Sequence, residues 1–247
     1  MSTIWKVHDI DPNVRVRITR ERPLLPAGLE ADISALWDAA QARMHGRLFN
    51  GRVFSADTIT PTLITGHWTE FRRIVARMDR PDLAADLPCS PLAVGGVIVG
   101  GEGDERFVVF GRRPPGAIYQ AGEWQLPPAG SIDPGAAGPD GQVEPLRQLH
   151  EELAEELGLP ADAVCEPRPL CIVEHPGSGV LDLGIAVRTA WRAADIRAAH
   201  AARGNNEYDP LDLVPVAGLA EFLARHRGRV TRQAPVFLAR AGLLADT

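Results

Sequence analysis

The fold of this chain is decided by an acidic stretch that carries four carboxylates within six residues. It reads His150-Glu151-Glu152-Leu153-Ala154-Glu155-Glu156-Leu157-Gly158-Leu159-Pro160. An α-helix turns about 100° per residue, so Glu152, Glu155 and Glu156 lie on one arc roughly 100° wide. A separate stripe suited to a hydrophobic core is formed by Leu146, Leu149, Leu153 and Leu157. The stretch therefore predicts an amphipathic helix with one acidic edge.

The flanking residues predict where this helix begins and ends. Pro145 is well placed for the first turn, Gly158 suits the left-handed position after the last turn, and Pro160 prevents continuation. Carboxylates at positions i and i+4 of a helix repel each other, which favours a cation between them. Hard divalent ions take oxygen ligands, commonly carboxylates, waters and substrate phosphates. We therefore expect a metal-dependent enzyme that acts on a phosphate compound.

Composition excludes several classes of protein. The chain has 247 residues and a formal net charge of −6, which argues against a general nucleic-acid binder. No apolar run has the length of a membrane span, and the first residues lack the apolar core of a signal peptide, so we expect a cytoplasmic protein that does not bind membranes. The oligomeric state is left open. The spacing of Cys89, Cys165 and Cys171 resembles neither a disulfide framework nor a zinc site, which favours reduced thiols.

Hydrophobic periodicity predicts an α+β (mixed α/β) chain with an N-terminal extension over 1–87 and a larger domain over 88–247. In the extension we expect strands at 4–22, 52–58 and 62–64 and helices at 29–44 and 69–79. In the domain, a strand hairpin precedes the acidic helix and further elements follow it. We expect strands at 92–99, 106–111, 169–174, 180–188 and 211–216, and helices at 193–203, 217–226 and 234–244.

The acidic helix and the upstream Leu126-Pro127-Pro128-Ala129-Gly130 together resemble the Nudix box. The wider resemblance to the Nudix family covers roughly residues 90–225. The resemblance implies a Nudix-type α/β/α sandwich with an N-terminal α/β extension. It implies Mg²⁺ as cofactor, with Mn²⁺ as an alternative ion, bound by Glu152, Glu155 and Glu156, which are also the catalytic carboxylates. Gly130 and Gly158 are the matching structural glycines. Family members hydrolyse nucleoside diphosphates linked to another group.

Two departures from the motif are visible in the sequence. Glu151 stands where the family has an arginine that pairs with a box glutamate and fixes its conformation. The loop between Gly130 and the helix is also longer than the motif allows. A similar pattern occurs in Nudix proteins that split UDP-glucose and UDP-galactose into UMP and the sugar 1-phosphate. That second resemblance implies a UDP-sugar as the small-molecule substrate.

Residues outside the box complete the predicted site. Glu207, in a loop before a predicted strand, is a candidate general base beside the box glutamates. Arg112 and Arg113 end the second strand of the hairpin, where a guanidinium can bind a diphosphate. Tyr119 and Trp124 flank the same loop and are candidates for stacking on a base or sugar.

Two other functions stay open. One is a catalytically inactive Nudix-like module that binds a nucleotide or a protein, which the glutamate at position 151 favours. The other is a Nudix hydrolase for a different diphosphate, such as ADP-ribose, a dinucleotide or a coenzyme A derivative. Nothing in the sequence identifies the nucleobase of the substrate.

Overall fold

The computed structural model of the chain describes residues 5–244. Its strands are β1 (Lys6–Asp9), β2 (Arg15–Ile18), β3 (Arg52–Ile59), β4 (Leu63–Glu70), β5 (Leu92–Gly100), β6 (Phe107–Arg112), β7 (Trp124–Gln125), β8 (Ala129–Ser131), β9 (Gln142–Val143), β10 (Cys165–Glu174), β11 (Leu181–Thr189) and β12 (Leu211–Pro215). Its α-helices are α1 (Ala27–Arg43), α2 (Phe71–Asp79), α3 (Pro145–Leu157), α4 (Ala193–Arg203), α5 (Leu219–Arg225) and α6 (Gln233–Arg240). The predicted α+β class is confirmed.

The chain divides into two compact units. The first comprises the residues up to Ala93 together with Ser131–Pro145 and Ile172–Asp182. The second comprises Val94–Gly130, Leu146–Cys171 and the residues from Leu183 onward. The predicted domain boundary between residues 87 and 88 stays a prediction.

The first unit contains a mixed sheet with the order β3-β4-β2-β9. Strand β4 pairs antiparallel with β3 and parallel with β2, and β2 pairs antiparallel with β9. A core of small and branched apolar side chains forms under α1 and α2, including Ile33, Val53, Ile74 and Leu87. The buried guanidinium of Arg73 on α2 forms an ion pair with Glu30 on α1.

Several boundaries predicted for this unit are wrong, among them the end of the strand expected at 62–64, which continues to Glu70. The single strand expected at 4–22 is two short strands, because Asp11 accepts hydrogen bonds from the backbone N–H groups of Asn13 and Val14 and closes a turn. Residue 4 lies outside the described residues. The helix expected from residue 69 begins at Phe71, since β4 continues to Glu70 in register with β3.

Strands β10, β11, β5, β6 and β12 lie side by side in that order, and most of their residues belong to the second unit. Strands β5 and β6 form the predicted hairpin, with Val99 opposite Val108, and β12 pairs antiparallel with β6. Strand β7 is added to β6, with Gln125 opposite Gly111. The predicted elements of this unit are confirmed, although β10 begins before residue 169 and α6 ends at Arg240 instead of residue 244. No helix within residues 5–244 combines the length and apolarity that a membrane crossing requires.

Candidate active site

Helix α3 has the two faces that the sequence predicts. Its apolar stripe is fully enclosed at Leu149, Leu153 and Leu157. The helix ends at Gly158, whose φ of +65° is left-handed and whose N–H donates to the carbonyl oxygen of Ala154 at 3.1 Å. A side chain at Gly158 would also lie 2.7 Å from the carbonyl oxygen of Ala199. Both the conformation and the space therefore require glycine here, and this cap fixes the last turn of α3, which carries Glu155 and Glu156.

Glu156 is a carboxylate in the interior of the second unit, only 2% exposed. Its Oε2 accepts a hydrogen bond of 2.9 Å from the backbone N–H of Ala129. Burial raises the pKa of this carboxyl well above its ordinary value of 4.5, and the negative charges of Glu152 and Glu207 raise the same pKa further. The Ala129 hydrogen bond and the positive charge of Arg113 lower the pKa without reversing the shift. Ionising Glu156 in this site is therefore costly unless a further positive charge lies beside it.

Glu152 is held in place by contacts on two sides. Its carboxylate occupies the position that a Cβ on Gly130 would take, so only glycine leaves room for it. On the same helix, Nε2 of Gln148 donates a hydrogen bond of 2.9 Å to Oε1 of Glu152. The glycine at position 130 thus leaves the Glu152 carboxylate its space, while the structural role that the resemblance implies for Gly130 stays a prediction.

Glu155 differs from the other two glutamates because its side chain is exposed. Its backbone carbonyl accepts a hydrogen bond of 2.8 Å from the N–H of Asn205. Across residues 5–244, no group of three or more Asp, Glu, His or Cys side chains is arranged to hold a metal ion. The three-glutamate metal site therefore stays a prediction.

The donor chemistry at Glu152 and Glu156 nevertheless suits a divalent ion. Magnesium is commonly bound by one or two carboxylates, with waters and substrate phosphates completing its coordination. Glu156 is a deeply buried carboxylate whose ionisation is made more costly by the neighbouring Glu152, and a hard cation would offset that cost. These two side chains fit the ion that the sequence implies.

Arg113 and Glu207, both predicted from the sequence, lie together. Nη1 of Arg113 is 2.7 Å from Oε1 of Glu207, and the same nitrogen is 3.3 Å from Oε1 of Gln125. Nε of Arg113 donates to the backbone carbonyl of Tyr119 at 3.1 Å. Both charged groups also act on the pKa of Glu156, which the glutamate raises and the arginine lowers.

The sequence does not single out two further residues that lie near Arg113, namely Gln125 and Tyr208. Tyr208 is fully enclosed, and its hydroxyl is 3.4 Å from Oε1 of Gln125. Burial raises the pKa of Tyr208 well above 10, and the nearby negative charge of Glu156 raises it further, so the phenol keeps its proton. The position of Tyr208 directly after Glu207 is the one signal in the sequence that points to it.

The other predicted substrate-binding residues lie in different surroundings. The guanidinium of Arg112 donates through Nε to the carbonyl of Gly122 at 3.1 Å. Trp124 is only 8% exposed, and its ring packs edge-on against Phe222 with centroids 5.4 Å apart. Tyr119 is half-buried and contributes its backbone carbonyl to Arg113. Substrate contacts by these three residues stay predictions.

Several solved structures resemble the chain. The Caenorhabditis elegans Ap4A hydrolase in a binary complex is 13% identical, covers 62% of this chain and 95% of its own, and gives a TM-score of 0.43. A NUDIX hydrolase from Alicyclobacillus acidocaldarius is 15% identical, with coverages of 63% and 91% and a TM-score of 0.44. The NUDIX domain of Shewanella oneidensis NrtR, complexed with ADP ribose, is 14% identical, with coverages of 61% and 85% and a TM-score of 0.44. No family model and no curated protein matches the sequence.

Proposed function

We propose that this chain is a Nudix-type hydrolase that uses a divalent metal ion to cleave a nucleoside diphosphate linked to another group. The observation that carries the proposal is the buried carboxylate of Glu156, which sits among the charges of Glu152, Glu207 and Arg113 and has a strongly raised pKa. Such a concentration of titratable groups with perturbed pKa values is typical of catalytic sites.

In this proposal Glu152 and Glu156 hold the ion, with Glu155 as the third ligand that the box resemblance implies. When bound, Mg²⁺ supplies positive charge against the phosphate oxygens and makes a bound water more acidic. Arg113 binds a phosphate oxygen of the substrate through its guanidinium. Glu207 accepts the proton of the attacking water, which requires the carboxylate to leave its ion pair with Arg113 when a phosphate takes its place.

A UDP-sugar is the specific substrate that we propose, with UMP and a sugar 1-phosphate as products. The support is the sequence resemblance: the N-terminal extension, the long loop inside the box and the loss of the box arginine occur together. ADP-ribose and diadenosine tetraphosphate are the alternative substrates to assay, since the similar structures include an Ap4A hydrolase and a domain complexed with ADP ribose. We also propose a cytoplasmic location, because Cys89, Cys165 and Cys171 are all free thiols.

The test is a panel of nucleotide sugars, ADP-ribose and dinucleotides, assayed with Mg²⁺, with EDTA and in the variants Glu152→Gln and Glu156→Gln. Metal-dependent release of UMP from UDP-glucose, lost in both variants, is the expected result. If another diphosphate is cleaved with the same metal dependence, the proposed hydrolase activity stands and that diphosphate replaces the UDP-sugar as the proposed substrate.

A second candidate function is a catalytically inactive module that binds a nucleotide. It is favoured by Glu151, an exposed acid at the position where the box has arginine. If no diphosphate is cleaved, but ADP-ribose or UDP-glucose binds in calorimetry, this second function replaces the first.

A further inference from the structure

Gln148 is a buried amide at the edge of the acidic site. It is 4% exposed, and it lies one helical turn before Glu152 on α3. Its Nε2 donates the 2.9 Å hydrogen bond to Oε1 of Glu152. Buried polar side chains cost free energy unless they are hydrogen-bonded, so a glutamine at this depth indicates a specific polar contact.

Helix geometry explains why position 148 reaches Glu152 and position 151 does not. Side chains four residues apart lie on the same face of an α-helix, whereas adjacent residues point about 100° apart. Glu151 is accordingly exposed, while Gln148 is enclosed beside the carboxylate that it contacts. A residue of α3 that contacts the Glu152 side chain therefore has to lie one turn away from it.

The carboxylate of Glu152 is confined from both sides. The group lies in the space that the missing side chain of Gly130 leaves free, and the Gln148 amide binds one of its oxygens there. A neutral amide orients a carboxylate without cancelling its charge. A guanidinium in the same place would orient it equally well but would compete with a cation for the same oxygens.

We infer that Gln148 is a positioning residue that holds Glu152 in the orientation needed to bind the divalent ion, while leaving its full negative charge to that ion. This inference rests on the proposed function. It gives Glu152 a neutral orienting contact that does not depend on the residue at position 151. Partners that orient metal ligands in this way typically change metal affinity by about 10- to 100-fold when they are removed.

The test measures metal affinity directly, by titration of Mn²⁺ in calorimetry, with kcat and KM measured in parallel. Gln148→Met keeps the length of the side chain and removes the donor. Gln233→Met is the matched control, because Gln233 is also 4% exposed in the second unit and is hydrogen-bonded to Gln120. We expect Gln148→Met to weaken Mn²⁺ binding by about 10- to 100-fold and to lower kcat more than it changes KM, with Mn²⁺ affinity unchanged in Gln233→Met.

A double-variant cycle separates positioning from a general loss of packing. In the Glu152→Gln background, Gln148→Met should add no further loss of Mn²⁺ affinity, because the contact has already lost its charged partner. Unchanged Mn²⁺ affinity in Gln148→Met overturns the inference while the proposed function stands. Absence of both Mn²⁺ binding and hydrolysis in the unmodified chain overturns the proposed function and the inference with it. If Gln148→Met does not fold, Gln148→Asn keeps an amide that is too short to reach Glu152, and the same loss of affinity is expected.

Discussion

The backbone N–H of Ala129 donates a hydrogen bond of 2.9 Å to Oε2 of Glu156, which ties strand β8 to the buried face of α3. The next residue of β8, Gly130, lies directly against the carboxylate of Glu152. Two consecutive residues of this strand therefore contact two carboxylates that are one turn apart on the helix. The positions of both acidic groups thus depend on β8 as well as on α3.

Replacing Gly130 by alanine should disable the site. The new methyl group would occupy the position of the Glu152 carboxylate, which must then rotate away from its contact with Gln148. A displacement of about 1 Å in a catalytic group can cost about 100-fold in rate, and we expect a loss of that size in kcat/KM. Gly116→Ala is the control, because a Cβ at Gly116 meets nothing within 4 Å. Equal activity of both variants would show that the placement of Glu152 is unimportant.

The raised pKa of Glu156 should make the stability of the metal-free protein depend on pH. The pKa of this carboxyl is raised in the folded state, first by burial and then by the charge of Glu152. A raised pKa means that protonation favours the folded state. The contribution to stability is therefore complete below the ordinary value of 4.5 and is lost as the pH rises towards the folded-state pKa.

Thermal unfolding in EDTA checks this prediction. As the pH rises above 4.5, the Tm of the unmodified chain should fall relative to that of Glu156→Gln, which cannot ionise and can still accept the Ala129 hydrogen bond. Glu155→Gln, a change at an exposed glutamate of the same helix, should follow the unmodified chain. Parallel curves for the unmodified chain and Glu156→Gln would contradict the raised pKa.

Arg113 and Arg112 should differ sharply in their effect on catalysis although they are adjacent. Arg113 forms an ion pair with Glu207 and lowers the pKa of Glu156. Nε of Arg112 instead donates a hydrogen bond to the carbonyl oxygen of Gly122. Replacement of Arg113 by methionine should lower kcat/KM for the cleaved diphosphate by about 100-fold, the usual cost of removing one donor that stabilises developing charge. Arg112→Met should stay within a few-fold of the unmodified chain. A larger loss at Arg112 would assign the phosphate contact to that residue instead.

The comparison between sequence and structure shows which signals are local. The bounds of α3 followed from leucine periodicity and from the glycine and proline after it, because helix signals extend over a few residues. Arg113 and Glu207 were chosen only by their positions near strand ends, and their contact spans 94 positions in the chain, from 113 to 207. No local pattern encodes such a pairing.

The residues that were missed share this property. Gln125 and Tyr208 meet only because β7 is added to β6 while the chain returns near residue 208, so their contact depends on tertiary structure. Gln148 sits inside the helix that the sequence identified, yet an amide among leucines and glutamates has no pattern of its own. The contact between Gln148 and Glu152 is informative only once the structure shows that Gln148 is buried.

The stability of the first unit should depend on the ion pair between Arg73 and Glu30. Arg73 is a buried guanidinium that forms an ion pair with Glu30 and donates to the carbonyl of Pro23 at 3.1 Å. Glu30→Ala leaves this charge enclosed without its carboxylate and also removes the ion pair between Glu30 and Arg72. Because the Glu30 side chain is itself 30% exposed, we expect a loss of about 2 kcal/mol of unfolding free energy, the cost of leaving a buried charged donor without its acceptor. Denaturant unfolding, measured where the two-state test holds, gives the value.

Asp82→Ala is the matched control, because Asp82 pairs with Arg80 on the surface, where both side chains are more than half exposed. We expect no measurable change in the midpoint of unfolding for this variant. The double variant Glu30→Met with Arg73→Met should be less destabilised than Glu30→Ala, since it removes both charges together and fills the space with apolar atoms. A midpoint for Glu30→Ala equal to that of Asp82→Ala would show that water reaches Arg73 and that the pair does not stabilise the packing of α1 against α2.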